Sequence, residues 1–318
     1  MTPPNRISTR PTIRWNVCSW IYGVDRVHSI QGGLANQMFQ YAYAWALHSR
    51  WPVRTFVELG SYQRASPDRA YRIEEVFEMP DRFPLLSAEI ERKIRKWKMD
   101  RRNRSEEHTV EYKPEFLGHD LRGFVQGYFP SFKYSEGIEH VLRKNFRFRQ
   151  QLPARNESLA EELADGDSVA VHVRRGDYLN PENKQDFFGM CSPAYYRSAI
   201  GYIRQRRPSA RFYFFSDDPA WCVEEFGHIA RHVVVGNVGP DAWADMDLIS
   251  RCRHSIVANS SYSLWARWIG AYGDGGINIS PDQFFNGGAY GSRADDIFPA
   301  AYVRINEQGV VAGGATPS

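Results

Sequence analysis

No run of apolar residues in this chain approaches the roughly 20 that a membrane-spanning helix needs. The first residues are rich in proline and arginine and lack the apolar core of a secretory signal, so we expect a cytoplasmic protein. The four cysteines show neither the CxxC spacing of a zinc site nor the pattern of a disulfide framework, so we expect reduced thiols. They are Cys18, Cys191, Cys222 and Cys252.

An excess of charge of one sign is also absent. The 318 residues carry 40 basic and 37 acidic side chains, a net charge of +3. This balance argues against a nucleic-acid partner. One local exception is the basic stretch Lys93–Arg104, which could contact the inner face of an anionic membrane; a solvated helix face is the alternative.

Two phosphate-binding signatures are missing. The chain has neither the GxGxxG fingerprint nor a Walker A loop, which argues against NAD and ATP. A weaker glycine-rich turn is present between a predicted strand at 27–30 and a predicted helix at 37–50, with Asn36 as the expected N-cap. The turn contains Gly32, Gly33, Asn36 and Gln37.

Strand and helix patterns alternate along the second half of the chain, which predicts an α/β fold with parallel sheets. Residues 61–115 look polar and irregular. We predict an N-terminal extension at 1–26, a first α/β domain at 27–155, a second at 156–306, and a flexible tail at 307–318. A ligand is expected between the two domains, at the carboxyl ends of strands.

The segment 169–178 combines a predicted strand with charge at its end. A run of β-branched and small residues is followed by Arg174, Arg175 and Asp177. Two guanidinium groups at a strand end suit a diphosphate. One arginine would reach the phosphates, and the other would pair with Asp177 or bridge the domains. A surface cluster of ion pairs is the alternative.

Other strand ends carry further candidates. His172 shares a side with Arg174, and either contacts a nucleotide or is a core histidine. Asp217 follows another strand and is a candidate ligand contact, whereas Asp218 is expected to cap the next helix. Asp245 and Asp247 are candidates to accept two N–H donors from a guanine edge; solvated helix carboxylates are the alternative.

A further anion site is predicted after the strand at 255–258. The polar run there opens a helix, whose N-terminal N–H groups and hydroxyls can bind phosphate. Ordinary helix capping by Ser261 or Ser263 is the alternative reading. The run contains Asn259, Ser260, Ser261, Tyr262 and Ser263.

Taken together, these segments resemble the α-1,2-fucosyltransferases of glycosyltransferase family 11. The most distinctive is 172–178, His-Val-Arg-Arg-Gly-Asp-Tyr. The others are 32–42, 126–131, 192–200, 215–218 and 245–263.

The resemblance implies a GT-B-like fold, with two facing Rossmann-type domains and the active site in the cleft between them. It implies inverting transfer of L-fucose from GDP-β-L-fucose to the 2-hydroxyl of a terminal β-galactoside, without a metal or other cofactor. By similarity, Arg174 contacts the β-phosphate, His172 and Asp245 contact guanosine, and Asp177 organises the arginines. Ser260, Ser261 and Tyr262 would hold the diphosphate.

The catalytic base and the exact transfer stay open. Asp177 lies close to the phosphate site, and Glu182 is a weaker candidate for which an ordinary loop glutamate is the alternative. A fucosyltransferase of other linkage, another GDP-sugar transferase, and a non-catalytic nucleotide- or carbohydrate-binding protein are the competing functions.

Overall fold

The structure, a computed structural model, describes residues 26–60, 70–86, 104–106, 111–118, 123–164, 166–179, 189–237, 239–270, 275–285 and 295–312. The chain divides into two compact units, Met1–Arg147 and Phe148–Ser318. The predicted N-terminal extension lies outside the described residues, apart from Arg26. Each unit contains a parallel sheet with helices, which confirms the predicted α/β class.

The first unit contains a four-stranded sheet in the order β2-β1-β4-β3, and all of its pairings are parallel. Its strands are β1 (Arg26–Ser29), β2 (Thr55–Glu58), β3 (Arg104–Glu106) and β4 (Gly123–Gln126). Its helices are α1 (Leu34–Arg50), α2 (Ile73–Val76) and α3 (Glu139–Asn145).

Helix α1 begins three residues before the predicted start. Gly33 occupies the N-cap position without a side-chain cap, so the predicted cap at Asn36 is wrong and that residue lies in the first turn. Nearly every residue from Ala35 to Leu47 is buried, including Tyr41 and Tyr43. A helix buried on all sides has no polar face to mark its ends in the sequence.

The segment 61–115 is less irregular than expected, since it contains α2 and β3. Strand β3 has three residues, Arg-Ser-Glu, and pairs with β4 at the edge of the sheet. So short an edge strand shows no apolar alternation in the sequence. The basic stretch Lys93–Arg104 lies outside the described residues until Arg104, where β3 begins.

The second unit contains a six-stranded parallel sheet in the order β10-β9-β8-β5-β6-β7. Its strands are β5 (Ser168–Val173), β6 (Arg211–Ser216), β7 (His232–Val235), β8 (His254–Ile256), β9 (Asn278–Pro281) and β10 (Val303–Ile305). Its helices are α4 (Glu157–Ala164), α5 (Pro193–Arg206), α6 (Pro219–Phe226), α7 (Ala242–Arg251) and α8 (Ser261–Ile269).

This strand order is the Rossmann order, with β5 as its first strand and β8 as its fourth. The order reverses between β5 and β8, which are adjacent and parallel. In open α/β sheets, ligands bind outside the carboxyl ends of the strands at such a switch point. The topology therefore points to the segments that follow β5 and β8.

Local signals place two helices of this unit correctly. Ser192 caps α5 by accepting a hydrogen bond from the main-chain N–H of Tyr195, with Pro193 in the first turn. Asp218 caps α6, as expected, by accepting from the N–H of Trp221. The described cysteines Cys191, Cys222 and Cys252 are free and buried.

The C-terminal segment packs against α5. Strand β10, which the sequence did not indicate, pairs with β9. Glu307, the first residue of the predicted flexible tail, accepts hydrogen bonds from Ser192 N through its carboxylate (2.6 Å) and from Ser192 Oγ through its carbonyl (2.7 Å). Residues 307–312 thus contact the fold, and the rest of the predicted tail lies outside the described residues.

Candidate active site at the switch point of the second sheet

The arginine pair follows β5 at the switch point. The strand ends at Val173, two residues earlier than the sequence indicates, because Arg174 and Arg175 turn away from the sheet into a loop. Strand β5 is buried over its whole length and delivers this loop to the carboxyl edge. Both arginines are therefore held by loop contacts rather than by alternation along a strand.

Arg175 is bound by helix α6. Its Nε lies 3.0 Å from Asp218 Oδ2, and its guanidinium lies 3.9 Å from the ring centre of Trp221. This hydrogen bond is the main reason why the pKa of Asp218 is lowered. Arg175 therefore pairs with Asp218 within the same unit, and pairing of an arginine with Asp177 or across the domains stays a prediction.

Arg174 has different partners from Arg175, and its side chain is 35% exposed. Its Nη1 is 2.8 Å from Asp217 Oδ2, and its guanidinium lies 5.9 Å from the ring centre of Tyr178. The side chain of Asp177 and the whole of Glu182, the two candidate bases, are outside the described residues; the Asp177 backbone begins a 3-10 turn.

The first turn of α8 lies beside this loop. Tyr178 Oη donates a hydrogen bond to the carbonyl of Asn259 (2.9 Å), and the rings of His172 and Tyr262 stack at 5.6 Å between centres. Ser260 caps the helix by accepting from Tyr262 N, so the cap predicted at Ser261 or Ser263 is corrected to Ser260. The loop after β5 and a helix N-terminus thus converge, and both favour an anion.

The side chain of Asn259 links the start of α8 to two neighbouring segments. Its Nδ2 donates to the carbonyls of Gly189 (2.5 Å) and Phe284 (3.1 Å), and its Oδ1 accepts from the thiol of Cys191. The side chain is buried, and its amide group bonds to protein atoms on both sides. The predicted donor-binding residue thus joins three segments around the helix terminus.

His172 is buried and faces this region with an unsatisfied nitrogen. Among the described residues, its Nδ1 has no hydrogen-bond partner. The pKa of His172 is lowered to about 4, mainly by burial; nearby Asp217 opposes this shift, and Arg174 contributes to it. The imidazole is therefore neutral at physiological pH and can donate or accept one hydrogen bond to a ligand.

Asp245 is a buried carboxyl near Tyr262. It lies one turn after Ala242, whose carbonyl accepts a hydrogen bond from Tyr262 Oη (2.5 Å). Burial raises the pKa of Asp245 to about 7, although a hydrogen bond from Asn237 Nδ2 to Oδ1 (2.7 Å) opposes the shift. A second hydrogen bond, from the main-chain N–H of Asn237, also opposes the shift. Asp247, by contrast, pairs with Arg251.

Asn237 was missed from the sequence, although it follows β7 at the same carboxyl edge. Its Oδ1 accepts from Arg155 Nη2 (3.1 Å) and Asn156 Nδ2 (3.0 Å), which turns its Nδ2 toward Asp245. Position after a strand is the signal that singled out Arg174 and Asp217, and it would have found Asn237 as well.

The glycine-rich turn belongs to the first unit, and its geometry depends on two features. Gly32 has φ of +79°, and a Cβ there would lie 2.9 Å from Asn36 Nδ2. Buried Gln37 donates to the carbonyls of Gly32 (3.0 Å) and Ala70 (2.9 Å), and accepts from the N–H groups of Arg72 and Ile73 (both 3.1 Å). Gln37 therefore fixes the turn against α2, and at Gly33 a Cβ would meet no atom within 4 Å.

We expect Gln37→Leu to lower the free energy of unfolding by about 3 kcal/mol, because it leaves main-chain donors and acceptors without partners. Urea unfolding measures this. The matched control is Gln31→Ala, whose half-buried side chain forms no hydrogen bond with any described residue. Equal stability of the two variants would contradict the bracing role of Gln37.

The described residues lack a metal-binding cluster and a membrane-spanning helix. They contain no group of three or more His, Cys, Asp and Glu side chains placed to hold a metal ion. No helix formed by these residues combines the length and the apolar character that crossing a membrane requires.

Comparisons with known proteins agree with the motifs. The model of the family described as Glycosyl transferase family 11 matches residues 27–302. An alpha-1,2-colitosyltransferase of Escherichia coli is 28% identical, covering 88% of this chain and 99% of the relative. The human galactoside alpha-(1,2)-fucosyltransferase 1 is 26% identical, covering 75% of this chain and 63% of the relative.

A solved structure is more distant. The fucosyltransferase NodZ from Bradyrhizobium has a TM-score of 0.48 at 15% identity, covering 76% of this chain and 92% of that chain. The family match extends over most of the sequence and includes both units. The chain belongs to glycosyl transferase family 11.

Proposed function

We propose that this protein is an inverting transferase that moves L-fucose from GDP-β-L-fucose to the 2-hydroxyl of a terminal β-galactoside. The observation that carries the proposal is the convergence of the Arg174 loop and the first turn of α8 at the switch point. Both relatives named above are α-1,2 transferases, one of fucose and one of colitose. The relatives therefore agree on the linkage and differ in the sugar.

The arrangement suits GDP as the leaving group. Arg174 would bind the β-phosphate, and the N–H groups at the start of α8 would bind the diphosphate. The Asp245 carboxylate would accept N–H donors from the guanine edge, a pairing that adenine cannot match. His172 Nδ1, which forms no hydrogen bond with the described residues, would bond to the nucleoside.

Inverting transfer is a single displacement at the sugar. The acceptor O2 attacks C1 of fucose, the bond from C1 to the β-phosphate oxygen breaks, and GDP leaves with the electron pair. The O2 proton passes to a base, for which Asp177 and Glu182 are the candidates that the sequence offers. Cationic groups held in place before the reaction stabilise the charge that develops on GDP.

Purified protein incubated with GDP-L-fucose and lactose tests this proposal. GDP release should depend on lactose, and NMR of the product should show an α-fucosyl unit on galactose O2. A parallel reaction with GDP-colitose separates the two donors, since colitose lacks the 3-hydroxyl of fucose. Absence of transfer from either donor to any galactoside would refute the proposal.

We also propose that the reaction needs no metal, because Arg174 and the α8 terminus supply positive charge to the leaving diphosphate. The transfer rate is expected to be the same with and without EDTA. A rate that falls in EDTA and returns on addition of Mg²⁺ would contradict this.

A further inference from the structure

Asp217 lies where two neighbouring strands end. It follows Ser216, the last residue of β6, which pairs in register with Val173, the last residue of β5. The two strands therefore deliver Asp217 and Arg174 to the same point of the carboxyl edge. The side chain of Asp217 is 25% exposed.

One carboxylate makes three contacts to the Arg174 loop. Asp217 Oδ1 accepts a hydrogen bond from the main-chain N–H of Arg175 (2.9 Å), and Oδ2 accepts from that of Gly176 (3.0 Å). Oδ2 also lies 2.8 Å from Nη1 of Arg174. Backbone and guanidinium are thus held together, in the bonding that carboxylates form with charged donors.

The Asp217 carboxylate occupies the space that a side chain at position 176 would need. A Cβ at position 176 would lie 2.6 Å from Asp217 Oδ2, nearer than real Cβ contacts come. The absence of a side chain at Gly176, rather than an unusual φ, lets the loop reach the carboxylate. The contact between the loop and the carboxylate therefore depends on both Gly176 and Asp217.

We propose that Asp217 is a positioning residue of the donor site. It holds the Arg174 loop in the geometry that meets the diphosphate, and it does not itself contact the ligand. This inference rests on the proposed use of a GDP-sugar donor. It replaces the expectation that Asp217 touches the ligand, since both carboxylate oxygens bond to the loop.

A purely electrostatic role and a positioning role of Asp217 predict opposite effects of Asp217→Asn on anion binding. Removing a negative charge beside an anion site strengthens anion binding by simple electrostatics. Loss of positioning weakens it, because Arg174 and the loop N–H groups lose their anchor. Gly176→Ala displaces the same carboxylate without changing any charge, and so tests the geometry separately.

Calorimetric measurement of the Kd for GDP decides between them. We expect both Asp217→Asn and Gly176→Ala to weaken GDP binding about tenfold, the loss of one charge-assisted contact. The controls are Asp295→Asn, which removes an exposed carboxylate paired with Arg304, and Gly201→Ala, whose added Cβ meets no atom within 4 Å. Both controls should bind GDP like the wild type.

Combination of the two changes sharpens the test. Because Asp217→Asn and Gly176→Ala break the same contact, the double variant should bind GDP about as weakly as the weaker single variant. Independent, additive losses would show that the two residues do not act through one contact. Equal or tighter GDP binding by Asp217→Asn would overturn the proposal.

Failure of the proposed function is distinguishable from failure of this inference. A wild-type protein that binds GDP but transfers no fucose refutes the function, while the GDP affinities still test Asp217. If the wild type binds no GDP, hydrogen exchange of the peptide 172–178 decides without any ligand. Faster exchange in both variants supports anchoring by Asp217, and unchanged exchange overturns it.

Discussion

Replacement of Arg174 by alanine is expected to lower kcat/KM for transfer by about 100- to 1,000-fold, the typical effect of removing one group that stabilises charge in the transition state. The guanidinium follows β5 at the switch point and is 35% exposed, so a ligand can reach it. The loss should fall mainly on kcat, because the negative charge on GDP grows as the bond to fucose breaks.

The fold should tolerate this change. The ion pair between Arg174 and Asp217 is partly exposed to solvent, and such pairs contribute about 0–1 kcal/mol to stability. The thermal unfolding temperature of Arg174→Ala should therefore stay near that of the wild type. Arg206→Ala is the matched control, because it also removes a guanidinium that lies over a tyrosine ring, that of Tyr202 in α5. Turnover by Arg174→Ala at the wild-type rate would refute the phosphate assignment.

The parts of the fold that could be predicted from the sequence are those with strong local signals. The apolar run of β5 and the Ser192-Pro193 start of α5 are examples. Strands β3 and β10 have three residues each and pair at sheet edges, so they carry no periodic pattern. The start of α1 was misplaced because Gly33 provides no side-chain cap to mark it.

Several residues of the candidate site could be predicted from the sequence, whereas the contacts that orient them could not. Arg174, His172 and Asp245 stand out because charge or imidazole interrupts a buried segment, and the structure brings all three to one edge of a sheet. The contacts that orient them join residues far apart in sequence. Asp217 binds main-chain groups 41 and 42 residues away, and Asn237 accepts a hydrogen bond from Asn156, 81 residues away. Such partners depend on the strand order, which local patterns do not specify.

Arg174 and Arg175 show why partners distant in sequence matter for assigning roles. In the sequence, Arg174 and Arg175 are equivalent neighbours with Asp177 nearby. In the fold, Arg175 is bound by Asp218 and Trp221, whereas Arg174 pairs with Asp217 and lies over the ring of Tyr178. The two residues are separated by their contacts with β6 and α6, so their roles differ although their chemistry is the same.

Asp245→Asn is expected to weaken GDP binding by about 10- to 100-fold while leaving ADP binding nearly unchanged. Hydrogen bonds to charged groups contribute about 1.5–3 kcal/mol, and each 1.4 kcal/mol corresponds to tenfold in affinity. The guanine edge presents two N–H donors to a carboxylate, and an asparagine amide would turn one N–H₂ donor toward them. The preference for GDP over ADP should therefore collapse in this variant.

The same carboxyl predicts how this preference depends on pH. Burial raises the pKa of Asp245 to about 7, so in the free protein it is a carboxylate above that pH and a neutral acid below it. The neutral acid loses acceptor capacity toward guanine, so GDP affinity should fall as the pH drops below about 7. His172, with its pKa lowered to about 4, stays neutral across this range.

Calorimetry with GDP and ADP at a series of pH values measures this effect. The ratio of the two affinities removes the ionisation that the diphosphates have in common, so the ratio reports on base recognition. In the wild type the GDP-to-ADP preference should rise through pH 7, and in Asp245→Asn it should be flat. A preference that stays constant with pH in the wild type, or survives in Asp245→Asn, would exclude Asp245 from base recognition. In that case the hydrogen bond between Asn237 and Asp245 would have only a structural role, at the start of α7.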